Sequence, residues 1–145
     1  MKNEADKYMT PTKKYLEEKF KEFNEKYFDG ILPPCKLILS KTDDGSSYNQ
    51  NFNWIIIAKN IYWTEESLEL VLVHEMVHCY VHTILKKWPF FTHGRTFNRV
   101  CDMLRKKHGI KVKMYQIPYL LHKGKKKPTL FKKMLVKCFW YLFRL

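Results

Sequence analysis

Beyond Glu75 the 145-residue chain contains no glutamate and only one acid, Asp102. A metal site that takes a downstream glutamate as a ligand is therefore excluded. No run approaches the roughly 18 consecutive apolar residues that a membrane-spanning helix requires. The opening MKNEADKYMT is charged and lacks the apolar segment of a secretory signal. The expected setting is the cytoplasm, or the nucleus in a eukaryote, and not the exterior. The four cysteines, Cys35, Cys79, Cys101 and Cys138, are far apart and form no C-x-x-C pair. Reduced, packed thiols account for them better than a disulfide framework does. There is no internal repeat.

Hydrophobic residues make up 46% of the chain and aromatics 16%, which excludes a disordered composition. The length fits one domain with a real core. Residues 1–75 hold 10 Lys/Arg against 13 Asp/Glu, net −3, and residues 76–145 hold 17 Lys/Arg against one Asp, net +16; together they give the +13 of the chain. Such a basic half points to a polyanion partner, either nucleic acid or an anionic membrane surface. Solvated lysines are the plainer alternative.

In TPTKKYLEEKFKEFNEKYFDG, Leu16, Phe20, Phe23 and Tyr27 repeat at three and four, which predicts a helix stopped at Asp29-Gly30. CKLILS and FNWIIIAKN read as strands, separated by KTDDGSSYNQN, which reads as a polar loop. Thr64 is an N-cap, with Glu65 and Glu66 in the first turn of a helix expected to reach about Lys87 before Pro89. That helix is apolar nearly all round, so it is central and buried. Another helix is expected over about Gly94–Lys107, then a third strand in IKVKMYQI. HKGKKKP is a basic linker, and TLFKKMLVKCFWYLFRL closes the chain as a basic amphipathic helix. The expected architecture is α+β: a core of residues 1–122 with helices packed on a small three-stranded sheet, followed by residues 123–145 as linker and C-terminal helix.

Four of the six histidines lie between Val71 and Gly94. His74 and His78 are four apart on the buried helix, so their imidazoles share one face and can converge on one ion at roughly 2.0–2.1 Å. Glu75 stands about 100° round the helix, where a carboxylate borders the site without ligating and can take a proton from an activated water. A chance match would leave two histidines and a glutamate in an apolar helix, each needing its own buried partner. A metal satisfies all three. His82 lies about 12 Å along the axis from His74, so it is expected to pack or to stand at the rim. A catalytic metal needs a third protein ligand and an open position. The pattern H-E-x-x-H-x-x-G-x-x-H is excluded, because Val81 and Ile84 occupy its last two places. His93, His108, His122 and Asp102 remain.

HEMVH, followed fifteen positions after His78 by HGRTF, resembles the SprT-like (Spartan-type) zinc metalloprotease family. FNEKYFDGILP is similar to that family's opening helix and turn, and IKVKMYQI to the strand after its third ligand. The resemblance covers roughly Tyr15 to His122. It implies a zincin-like fold, one zinc per chain held by His74, His78 and His93, and Glu75 as general base. It implies cleavage of proteins bound or crosslinked to DNA. Where many members carry a zinc ribbon after the core, this chain has the basic run Lys123–Lys127 and an apolar tail.

Ligand type argues for zinc and leaves manganese and iron open. The strand NWIIIA could offer an edge to an extended substrate, while the side chains of Ile55–Ile57 are expected to serve only the core and sheet. Tyr48, Tyr62, Tyr80, His82 and Arg95 are candidates for stabilising the oxyanion. For DNA the expected contacts are Arg105, Lys106, Lys107, Lys125, Lys126 and Lys127. A competing reading is a nucleic-acid-binding module with a structural metal, against which Glu75 stands, since such a site has no use for a base. In another, the tail with Phe131, Leu135, Phe139, Trp140, Leu142 and Phe143 lies on a membrane surface, or packs on the core.

Overall fold

The apolar stripe of the first helix is buried as its spacing predicts. In the computed structural model, α1 (Lys13–Phe28) turns Leu16, Phe20, Phe23 and Tyr27 into the core. The structure describes residues 8–42, 45–112 and 121–122. The Thr12 hydroxyl caps α1 by accepting the Tyr15 N–H at 3.1 Å. Asp29 ends it in the left-handed conformation, φ 54°, which a short polar side chain tolerates. Asn24 then grips the backbone of Leu32 from both sides, its Nδ2 donating to Leu32 O and its Oδ1 accepting Leu32 N–H, each at 3.1 Å. That fastens the turn toward the sheet onto the helix.

The sheet consists of β1 (Lys36–Ser40), β2 (Ser46–Asn49) and β3 (Trp54–Ala58) in the order β1-β3-β2, with β1 parallel and β2 antiparallel to β3. Ile55, Ile57 and Ala58 of the central strand are fully buried. Two expectations are corrected here. The third strand lies inside the segment expected to be a polar loop: Ser-Ser-Tyr-Asn is too short and polar to alternate visibly, and three of its residues line an open cleft. Ile110–Val112, expected to begin a strand, carry none, and residues 113–117 lie outside those described. A second ladder pairs β4 (Ile61–Tyr62) with β5 (Leu121–His122).

Helix α2 (Glu65–Thr83) crosses the centre, packed against β2 and against α3 (Arg95–His108). Between Leu68 and Val81 most of it is buried, and only Glu69, Leu70, His78 and Tyr80 are partly exposed. A reciprocal capping box starts it, with Thr64 Oγ1 accepting Ser67 N–H at 3.1 Å and Ser67 Oγ accepting Thr64 N–H at 2.9 Å. Replacing Thr64 by alanine is expected to cost about 1 kcal/mol, read as a lower urea midpoint with an unchanged slope. An unchanged midpoint would mean that the cap contributes nothing. The helix ends at Thr83 instead of near Lys87. The Thr83 hydroxyl turns back to Cys79 O at 2.7 Å, and Lys86, at φ 52°, reverses the chain before Pro89 is reached. Trp63 is fully buried, its indole N–H donating to Ala58 O at 2.8 Å. Among the described residues no helix is long and apolar enough to cross a membrane. Cys35, Cys79 and Cys101 are free thiols, and burial pushes Cys35 and Cys101 up to about 12, so both stay protonated. The expected C-terminal helix lies outside the described residues.

Candidate metal centre

One helical turn on α2 places His74 and His78 side by side, and the loop ahead of α3 brings His93 back onto them. The three Nε2 atoms form a near-equilateral triangle: 3.1 Å from His74 to His93, 3.2 Å from His74 to His78, and 3.1 Å from His78 to His93. Among the described residues this is the one His/Cys/Asp/Glu group spaced to hold a metal ion. A tetrahedral ion with imidazole bonds of roughly 2.0–2.1 Å needs donor edges of about 3.3 Å, so the residues present fit such an ion. The Phe97 ring packs on all three imidazoles, with centroids 4.9, 4.6 and 4.9 Å from those of His74, His78 and His93. It gives the cluster an apolar floor, and it is itself fully buried.

Burial, with His74 and His93 beside it, pushes His78 down to about 3, and burial lowers His93 as well. Both lone pairs are therefore unprotonated at neutral pH, the state that a metal ligand requires. The position of His93 is set from both sides. Asn98 Nδ2 donates to His93 O at 3.2 Å. A Cβ on Gly94 would stand 3.0 Å from the Phe91 carbonyl oxygen, so any other residue after His93 would force that carbonyl to shift by a few tenths of an ångström. That is the local reason for His-Gly at this point.

Glu75 is buried, and Ser46 of β2 donates to its Oε1 at 2.6 Å. Serine at 46 had no signal in the sequence, since it belongs to no spacing pattern and sits in a stretch that reads as loop. The three histidines and Glu75 open onto a cleft of about 500 Å³, walled by β2 on one side and by Lys87, Pro89 and Thr92 of the α2–α3 loop on the other. Beside it, Trp88, Phe90 and Phe91 are exposed at 63%, 94% and 73%, so the loop bearing His93 is little supported by packing.

The other candidates separate cleanly. His82 lines the cleft but contacts Tyr48, outside the histidine triangle. His108 lies at the far end of α3, edge-on to Tyr27, and Asp102 pairs with Arg105 at 3.1 Å. His122 lies in β5, paired with Ile61. Of the oxyanion candidates, Tyr48 and His82 line the cleft, while Tyr62, Tyr80 and Arg95 do not. The strand NWIIIA offers no edge, because β3 is paired on both sides. The edge beside the cleft belongs to β2. Of the described basic candidates, Arg105 faces Asp102 and Lys107 faces Asp29 at 3.0 Å, whereas Lys106 has no carboxylate partner among the described residues. Lys125, Lys126 and Lys127 lie outside those residues. Exposed ion pairs of this kind contribute about 0–1 kcal/mol, so a phosphate can replace the carboxylate at little cost.

Residues 16–116 match the model of the SprT-like family, a span that takes in His74, Glu75, His78 and His93. A search of curated proteins gave no match.

Proposed function

The chain belongs to the SprT-like family, and from that premise we propose that it is a zinc-dependent endopeptidase acting on proteins bound or crosslinked to DNA. The observation that carries this reading is the convergence of three imidazole nitrogens within 3.2 Å of one another, on an open cleft that also holds a buried carboxylate. His74, His78 and His93 would hold the ion. When bound, it supplies Lewis acidity, acidifying a water and polarising the scissile carbonyl.

Glu75 takes the proton of the attacking water and returns it to the leaving amine. The Ser46 hydroxyl holds one carboxylate oxygen and so orients the base. An extended polypeptide pairs with the edge of β2 that carries no strand among the described residues, through main-chain hydrogen bonds, which fits substrates of diverse sequence. The alternative of a structural metal in a nucleic-acid-binding module gives no role to Glu75 or to the open cleft. Hydrolysis of an unfolded protein, assayed with and without DNA and with a chelator, tests the reading. Activity that survives metal removal would end it.

The charge of residues 76–145, net +16 from 17 Lys/Arg and one Asp, supports electrostatic binding to DNA with little sequence preference. Affinity for duplex DNA is then expected to fall by roughly 0.9 log units per phosphate contact for each log unit of salt. Neutralising Lys125, Lys126 and Lys127 together should flatten that slope and weaken all sequences alike. Under the membrane reading, loss of Trp140 and Phe143 abolishes binding to anionic vesicles and leaves DNA affinity as it was. Failure of both DNA and vesicles to bind at moderate salt would reduce the charge to a solvated face.

A further inference from the structure

Asn53 occupies a left-handed position, φ 53°, just ahead of β3. Its side-chain Nδ2 donates to Pro34 O at 2.7 Å. A carbonyl oxygen at that distance requires an N–H, so the amide can face only one way, with Oδ1 toward Tyr48. That oxygen carries no hydrogen. The 2.9 Å contact between Tyr48 Oη and Asn53 Oδ1 must therefore use the one proton of the phenol. Burial raises the pKa of Tyr48 and keeps that proton in place.

Tyr48 Oη also lies 3.1 Å from His82 Nδ1. With its proton committed to Asn53, it can only accept there. His82 Nδ1 thus carries the hydrogen, and the neutral ring has its lone pair on Nε2. Trp88 stands edge-on to the ring, centroids 5.1 Å apart. Among the described residues no hydrogen bond reaches His82 Nε2, and the ring lines the cleft with Glu75 and the metal-binding group. Two consequences follow from the count of protons. Neither Tyr48 nor neutral His82 can donate to an oxyanion. What the cleft gains at this point is a fixed acceptor.

We propose that His82 is a substrate-positioning residue whose Nε2 accepts a backbone N–H of the polypeptide lying along β2, with Tyr48 and Asn53 setting its tautomer. The proposal rests on the peptidase reading for the identity of what enters the cleft. A side-chain acceptor opposite a main-chain donor discriminates against no residue type except proline, in keeping with an edge-strand mode of binding. It also explains why a histidine lies on this face of α2 one turn beyond the metal-binding pair.

The test separates tautomer from turnover. Two-bond proton–nitrogen spectra of metal-loaded, nitrogen-15-labelled protein should show His82 as Nδ1–H, and Tyr48→Phe should move it toward Nε2–H. Binding is read in the Glu75→Gln background with fluorescein-labelled casein as an unfolded polypeptide. There, His82→Ala and Tyr48→Phe should each weaken binding roughly two- to tenfold, the worth of one hydrogen bond, and the double variant should be no weaker than the weaker single one. An Nε2–H tautomer in the unmodified protein would overturn the relay. Casein affinity unaffected by His82→Ala, or no casein binding by the parent protein, would overturn the positioning role. Binding with the expected dependence but no hydrolysis by the unmodified protein would support His82 and count against the peptidase reading alone.

Discussion

Glu75→Gln is expected to remove hydrolysis while leaving fold and metal content intact. Glu75 is 3% exposed, and Ser46 donates to its Oε1 at 2.6 Å. The glutamine amide offers a carbonyl oxygen to the same hydroxyl, in nearly the same volume, so the contact between α2 and β2 survives. What the amide cannot do is take a proton from water. A general base contributes about 10²–10⁴ in rate, and the loss should appear in kcat with little change in KM, because substrate contacts are untouched. Metal analysis and circular dichroism serve as controls. Turnover like that of the unmodified protein would show that Glu75 is not the base.

His93→Ala should have the largest effect on metal binding. His74 and His78 alone leave a two-coordinate site, and the third Nε2, 3.1 Å from each of the others, has no substitute within reach among the described residues. Loss of an outer partner to a ligand typically costs 10–100-fold in affinity, and loss of a ligand itself should exceed roughly 100-fold. His82→Ala, outside the triangle, should leave stoichiometry at one ion per chain. The reverse pattern in the two variants would overturn the ligand assignment.

The parts of this molecule written in local chemistry were legible. Thr64 with Glu65 and Glu66 marks the start of α2, Asp29-Gly30 marks the end of α1, and the i,i+4 pair of His74 and His78 can be read without any tertiary information. His93 could be singled out only through the family resemblance, since the turn that returns it depends on Lys86 reversing the chain and on the close approach at Gly94. β2 escaped notice because a four-residue strand of Ser, Ser, Tyr and Asn carries no apolar period. Its residues are polar because they serve Glu75 and His82. The assignment of the open edge to NWIIIA failed for the same reason: with β2 unseen, β3 looked like a border strand. Ser46 acts through a hydrogen bond to Glu75 spanning 29 positions, and Tyr48, held by Asn53, through one to His82 spanning 34, and no pattern in a linear sequence records such pairs.

The third imidazole differs in kind from the first two. His74 and His78 are fixed by a helix that is mostly buried, whereas His93 rides on a segment whose aromatic side chains, Trp88, Phe90 and Phe91, are mostly in solvent. An ion gripping all three would therefore act as a crosslink, closing the fifteen-position segment between His78 and His93. Bound to the folded site and not to the unfolded chain, it would stabilise the closed loop by mass action. The far wall of the cleft would then owe its shape to the occupant of the cleft, so that metal supply governs both the chemistry and the opening through which a polypeptide enters.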